Sequence, residues 1–169
     1  VNSKVAPEHV VARGHGVVRL IGPTTRDGKP YLVYELLADG GGKLSVPEDG
    51  LARALRPLVD RAEAERLAAV LRSPASGVDE RPKKVRALAR EQALATSVLA
   101  DQIDELHWLY TSGGTPSFSD RRMMEMLGSA LTELGLVLGP GAPTHAELTA
   151  AQKPAPKAKA KAKPKAEVP

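Results

Sequence analysis

From residue 1 to about residue 58, short apolar runs alternate with turn-forming clusters. Val10-Val11-Ala12-Arg13 leads into Gly14-His15-Gly16, and Val17-Val18-Arg19-Leu20-Ile21 follows. Gly22-Pro23 and Asp27-Gly28 come next, then Tyr31-Leu32-Val33-Tyr34-Glu35-Leu36. After Asp39-Gly40-Gly41-Gly42 comes the last run, Lys43-Leu44-Ser45-Val46-Pro47. Runs of this length between Gly-rich turns predict four small antiparallel strands. A sheet this small buries little surface alone, so it must curl or find a cover. The expectation is a small, strongly bent, barrel-like sheet.

From about residue 60 to 139 the period becomes helical. Asp60 with Glu63 forms a capping-box pair ahead of Leu67, Ala68 and Leu71, and Pro74, Ser76 and Gly77 end that helix. Val85, Leu88, Ala89 and Gln92 mark a second helix with a weakly apolar face. Leu99, Ile103, Leu106 and Tyr110 make a cleaner stripe, broken by Gly113-Gly114-Thr115-Pro116. Ser117 with Asp120 offers a capping box for a helix presenting Met123, Leu127, Leu131, Leu134 and Leu138, and Thr144 with Glu147 caps a short last one. Four or five helices in about 80 positions suggest a compact bundle. The expected class is α+β: a β-rich domain over 1–58, a helical domain over 59–150, and a tail over 151–169.

Composition changes the picture in two ways. The formal charge of +4 is unevenly placed: residues 153–169 hold six of the 24 basic residues and one of the 20 acidic ones, leaving 18 basic and 19 acidic groups before them. The body is therefore near neutral and the tail supplies the basicity. The stretch Lys153 to Lys165, with lysines between Ala and Pro, has no apolar period and repelling charges, which predicts disorder. The absence of cysteine excludes disulfides and thiolate metal sites and fits a reducing cytoplasm. No apolar run is long enough to span a membrane, and the N-terminus lacks a secretory pattern.

At Gly14-His15-Gly16-Val17-Val18-Arg19 the chain resembles the CarD-type bacterial regulators (the CarD, CdnL and transcription-repair coupling factor family). Lys29-Pro30-Tyr31-Leu32-Val33-Tyr34-Glu35-Leu36 is similar to the family's third strand, and Lys43-Leu44-Ser45-Val46-Pro47 to its fourth with the closing Val-Pro. The helical half continues the resemblance at Leu55-Arg56-Pro57-Leu58, at Arg81 and Lys84 where the family has a basic helix start, at Ile103 to Trp108, and at Ser117 to Met124. It covers roughly residues 8–139. The resemblance implies a Tudor-like domain that binds the β subunit of RNA polymerase by adding an edge strand, and a helical domain that meets promoter DNA. Members that wedge open promoters place a tryptophan just before the basic helix start; here that position is Asp79, and an aspartate facing phosphate cannot wedge. Trp108 is assigned to the buried stripe. The basic tail is similar to those of the branch that appends a high-mobility-group-like region, without its Arg-Gly-Arg-Pro hooks.

On this reading the polymerase contacts are the edge Lys43, Leu44, Ser45 and Val46, flanked by Arg19, Thr25 and Arg26. The DNA contacts are Arg81, Lys84 and Arg121 on the helices, within a basic set that also holds Lys83, Arg86, Arg90 and Arg122, and Lys157, Lys159, Lys161 and Lys163 in the tail. Asp79, Glu80, Glu91 and Asp120 balance the helical set, so a solvated face is equally consistent. The partners expected are the polymerase β subunit and promoter DNA, with a second regulatory protein on the adaptor alternative, in the cytoplasm at the nucleoid and with no membrane. Two alternatives stand beside this: an adaptor whose helices recruit another regulator, and a histone-tail-like architectural DNA-binding protein.

Catalytic chemistry is thin. Gly22 to Lys29 has five residues between its glycines and Pro30 where a phosphate loop needs Ser or Thr, so it reads as a hairpin turn. Gly14-His15-Gly16 is followed by Arg19 where a dinucleotide fingerprint needs glycine. His9, His15, His107 and His145 lack metal-ligand spacing, and Met123, Met124 and Met126 fit packing. No enzyme and no cofactor are expected.

Overall fold

The computed structural model describes residues 7–37, 41–74, 79–112 and 116–151. Five antiparallel strands, β1 (His9–Ala12), β2 (Gly16–Arg26), β3 (Lys29–Leu36), β4 (Lys43–Pro47) and β5 (Leu55–Arg56), form one sheet in the order β4-β3-β2-β1-β5. Helices follow: α1 (Leu51–Ala54), α2 (Arg61–Arg72), α3 (Lys83–Thr96), α4 (Leu99–Thr111), α5 (Phe118–Leu127), α6 (Ser129–Leu138) and α7 (His145–Ala151). The chain is thus α+β. The expected turns at Asp39-Gly40, Ser76-Gly77 and Gly113-Gly114-Thr115, and the tail lysines, lie outside the described residues.

The four expected strands are present, and a fifth, β5, pairs with β1 through Val11 and Ala12. The stretch expected as a turn is strand instead: β2 runs through Gly22-Pro23-Thr24-Thr25 after a register shift between Leu20 and Gly22. Asp27 and Gly28 alone make the turn, with φ of 49° and 74°, the left-handed pair that a two-residue hairpin of type I′ demands. Two prolines sit in this hairpin without cost. Arg26 and Lys29 close the turn as a hydrogen-bonded pair, so Pro23 and Pro30 fall at positions whose nitrogens face away from the partner strand. Neither β1 nor β4 reaches that far, so no ladder bond is lost.

Two cores result. Val10, Ala12, Val18, Tyr34 and Val46 share one sheet face with Leu20, Leu32, Leu36 and Leu44, closed by Leu51, Ala54 and Leu55. The second core joins Leu67, Leu71, Ile103, Leu106, Tyr110, Leu127 and Leu134. The capping pairs hold in part: Asp60 accepts from the Glu63 amide at 2.8 Å, but the Glu63 carboxylate turns to Arg66, whereas Ser117 and Asp120 complete their box.

The helical faces differ from the pattern in two places. The single helix expected from Met123 to Leu138 is broken at Gly128 into α5 and α6, and its inward residues are Met124, Leu127, Ala130, Glu133 and Leu134. On α3, Val85 and Leu88 are exposed, and Ala93 with the partly buried Leu94 packs on the core.

The opposite face of the sheet carries buried Val11 and Val17, where β2 meets α6. The turn after β1 is tied to the corner between α3 and α4: the Gly14 amide donates to Ser97 Oγ at 2.8 Å and Arg13 donates to the Thr96 carbonyl. Sheet and helices therefore meet through specific bonds as well as packing.

Candidate functional site

β4 forms one margin of the sheet. The Leu36 amide donates to the Gly42 carbonyl at 2.8 Å, which makes Leu36 and Gly42 a hydrogen-bonded pair. Antiparallel alternation then assigns Leu44 and Val46 inward, bonded to Tyr34 and Leu32, and turns the backbone N–H and C=O of Lys43 and Ser45 outward. Among the described residues nothing accepts or donates to those outward groups. Leu44 and Val46, expected as contacts, have backbones satisfied by β3 and side chains in the sheet core. Their role is to hold the strand.

The flanking residues do not gather in one spot. Arg19 pairs with Glu35, and Glu35 with Lys43 across the next strand, so these three form a row on the face opposite the core. Arg26 lies on the same face with its guanidinium carbon 6.0 Å from the Tyr31 ring centre, about 20 Å along the strands from that row. Thr25 alternates onto the other face.

The helical charges behave differently from expectation. Arg81 donates to both oxygens of Asp79, at 2.8 Å each, and to Glu105 at 2.7 Å. Arg90 lies 3.5 Å from both Glu105 and Asp120, so a chain of ion pairs runs from Asp79 to Asp120 across α3, α4 and α5. Asp79 is only 8% exposed. Hydrogen bonding from Arg81 holds its carboxyl below the usual range, and the same bonds push the Arg81 guanidinium up. Arg81 is thus engaged internally rather than offered to phosphate, and Asp79 faces Arg81 rather than solvent. Glu105 was missed as the partner of Arg81 because residues 24 positions apart leave no periodic signal.

Lys83, Lys84, Arg121 and Arg122 are exposed and make no ion pair among the described residues. Arg121 lines a cleft of about 770 Å³ with Tyr110, Met124 and His145, away from the cleft that Arg81 lines. The structure therefore does not join Arg81 and Arg121 in one patch. Trp108 is also corrected: the buried stripe of α4 is Leu99, Ile103, Leu106 and Tyr110, while Trp108 is half-buried in the wall of a cleft of about 920 Å³ between α2, α3 and α4. His15 is exposed on its turn, His107 meets Ser73, and His145 bonds the Tyr110 hydroxyl. No group of three His, Cys, Asp or Glu among the described residues could hold a metal ion.

The Asp79–Arg81 geometry sets an acid dependence. Because the folded pKa of Asp79 is lowered from 3.8, its contribution is present above that value and lost as pH falls through the lower folded one. Arg81→Gln strands the buried Asp79 carboxylate and leaves Glu105 only its 3.5 Å pair with Arg90, and a loss of about 3 kcal/mol is expected near neutral pH. Urea titrations of both proteins across pH should show that gap shrinking as acid protonates the stranded Asp79 carboxylate. A gap independent of pH would mean that the pairing energy is not electrostatic.

No helix among the described residues is long and apolar enough to cross a membrane. No protein-family model matches this chain, and the search of curated proteins returns no match.

Proposed function

We propose that this chain is a CarD-type transcription regulator that docks on the β subunit of RNA polymerase through β4 and carries its helices, and a disordered basic tail, beside promoter DNA. The observation that carries this reading is the open margin of β4. A strand with free groups on Lys43 and Ser45, anchored behind by Leu44 and Val46, is a ready template for a foreign strand. The shift in β2 near Ile21 supports a Tudor-like curl of the sheet, and α2 to α7 around one core support a bundle.

The DNA part of the proposal keeps Lys84 and Arg121 from the expected set and drops Arg81, which Asp79 and Glu105 engage. With Arg81 engaged, the exposed cations of the helical set that make no ion pair among the described residues are Lys83 and Lys84 at the start of α3 and Arg121 and Arg122 on α5. The first turn of α3 has no side-chain cap, and two lysines there oppose the helix dipole. Amides and lysines pointing together suit phosphate, which positions a protein without reading sequence. Nucleoid association in the cytoplasm follows from the same reading.

A second reading has its own observation. Val85 and Leu88, three apart on α3, are 48% and 64% exposed, and Phe118 on α5 is 73% exposed. Apolar side chains at this spacing suit a protein partner, so an adaptor recruiting another regulator is the alternative.

The docking test uses Ser45→Pro, which deletes an outward N–H without touching the β3 ladder, a substitution that edge strands accept. Binding to the isolated polymerase β lobe should weaken by roughly tenfold or more, while thermal stability changes little. Ser45→Ala keeps the N–H and should bind like the parent. Equal affinity for all three proteins rejects strand addition at β4.

A further inference from the structure

The cleft of about 920 Å³ between α2, α3 and α4 has walls that do not match a nucleic-acid surface. Glu80, Asp101 and Asp104 line it without an ion-pair partner among the described residues, beside Asp79 and Glu105, which Arg81 engages. The half-buried Trp108 forms part of the wall. Partial burial, then the neighbouring Asp101 and Glu105, push the Asp104 carboxyl up, and the nearby Arg66 and His107 offset this only in part.

The chain also brings its own cation there. Arg72 at the end of α2 holds Glu147 of α7 at 2.7 Å and donates to the Gly141 carbonyl at 3.1 Å. Ser73, the next residue, lines the cleft and bonds His107 on its wall. α7 ends at Ala151, one helical turn beyond Glu147, and the lysines from Lys153 to Lys165 follow directly. At about 3.3 Å per residue, the six residues from Ala151 to Lys157 reach about 20 Å.

We propose that this cleft is the docking site of the chain's own segment 153–165, held by its lysines against Glu80, Asp101 and Asp104 with their aliphatic stems along Trp108. Lysine at a tryptophan face adds cation–π attraction to the charge pairing. The tether supplies an effective concentration in the millimolar range, so individually weak contacts suffice. A docked tail is withheld from other anions, which makes the cleft an internal competitor for whatever the tail otherwise binds. The inference does not rest on the DNA reading.

Trp108 is the chain's only tryptophan, so its acrylamide quenching reports the cleft directly. In the full chain at low ionic strength, replacing Lys157, Lys159, Lys161 and Lys163 by Gln should raise quenching about twofold, and about 0.5 M salt should do the same to the parent. Asp101→Asn with Asp104→Asn should match the Gln variant, with circular dichroism unchanged. Adding the Gln changes to that double variant should then have no further effect. Identical quenching in parent and Gln variant overturns the proposal, as does a tail effect that survives neutralisation of the cleft.

Discussion

Glu133→Ala is expected to destabilise the fold by about 3–5 kcal/mol, visible as a lower urea midpoint with an unchanged slope. Glu133 is 1% exposed and accepts three hydrogen bonds: two from Arg56, at 2.8 and 2.7 Å, and one from the Val59 amide at 3.0 Å. Arg56 in turn donates its Nε–H to the Ser97 carbonyl at 2.6 Å. Removing the carboxylate leaves a largely buried guanidinium without its counter-charge and an amide without its acceptor. The penalty comes from those stranded groups more than from the lost attraction, since the intact pair already carries a desolvation cost. Arg56→Met combined with Glu133→Leu should therefore recover much of the loss. A single-variant loss below about 1 kcal/mol would show that water reaches the site and replaces the carboxylate.

This pair also has a mechanical consequence. Arg56 belongs to β5 and Glu133 to α6, so the pair joins the sheet to the helices. On the proposed function, helices held at a fixed place beside the sheet need such a joint. Glu133→Ala is expected to leave the free groups of β4 unchanged while loosening where the helices sit.

The fold was legible where local chemistry decides it. Asp27-Gly28 marks its hairpin because few dipeptides accept two positive φ values, and Ser117 with Asp120 marks the start of α5 because the cap is local. Gly22-Pro23 misled for a physical reason: a proline usually ends a strand, but here its nitrogen faces outward beyond the reach of β1. β5 had no signal, since two residues become a strand only when β1 is beside them. The inward residues of α6 were hidden as well, because Gly128 shifts the face and a buried Glu133 does not look apolar. At the candidate site the edge strand could be read from its position among the runs. The engagement of Arg81 could not, because a basic residue looks the same in sequence whether or not a carboxylate elsewhere in the fold has captured it.

Gly16→Ala is expected to be the most damaging methyl addition in the sheet, costing about 2–4 kcal/mol from two separable causes. Its φ of +87° disfavours any L side chain, and a Cβ there would stand 2.6 Å from Ser129 Cβ on α6. Gly14 supplies the control on the same turn: its φ is +76°, yet nothing lies within 4 Å of an added Cβ. Gly14→Ala should therefore cost only the backbone strain, about 1 kcal/mol. The difference between the two isolates the contact between sheet and helix. Combining Gly16→Ala with Ser129→Gly removes the clash but not the strain, so a double-mutant cycle should show a favourable coupling of about 1–2 kcal/mol. If Gly16→Ala costs no more than Gly14→Ala, the turn is free to lift from α6. The sheet would then lack the close seating that sets the direction in which the open margin of β4 faces.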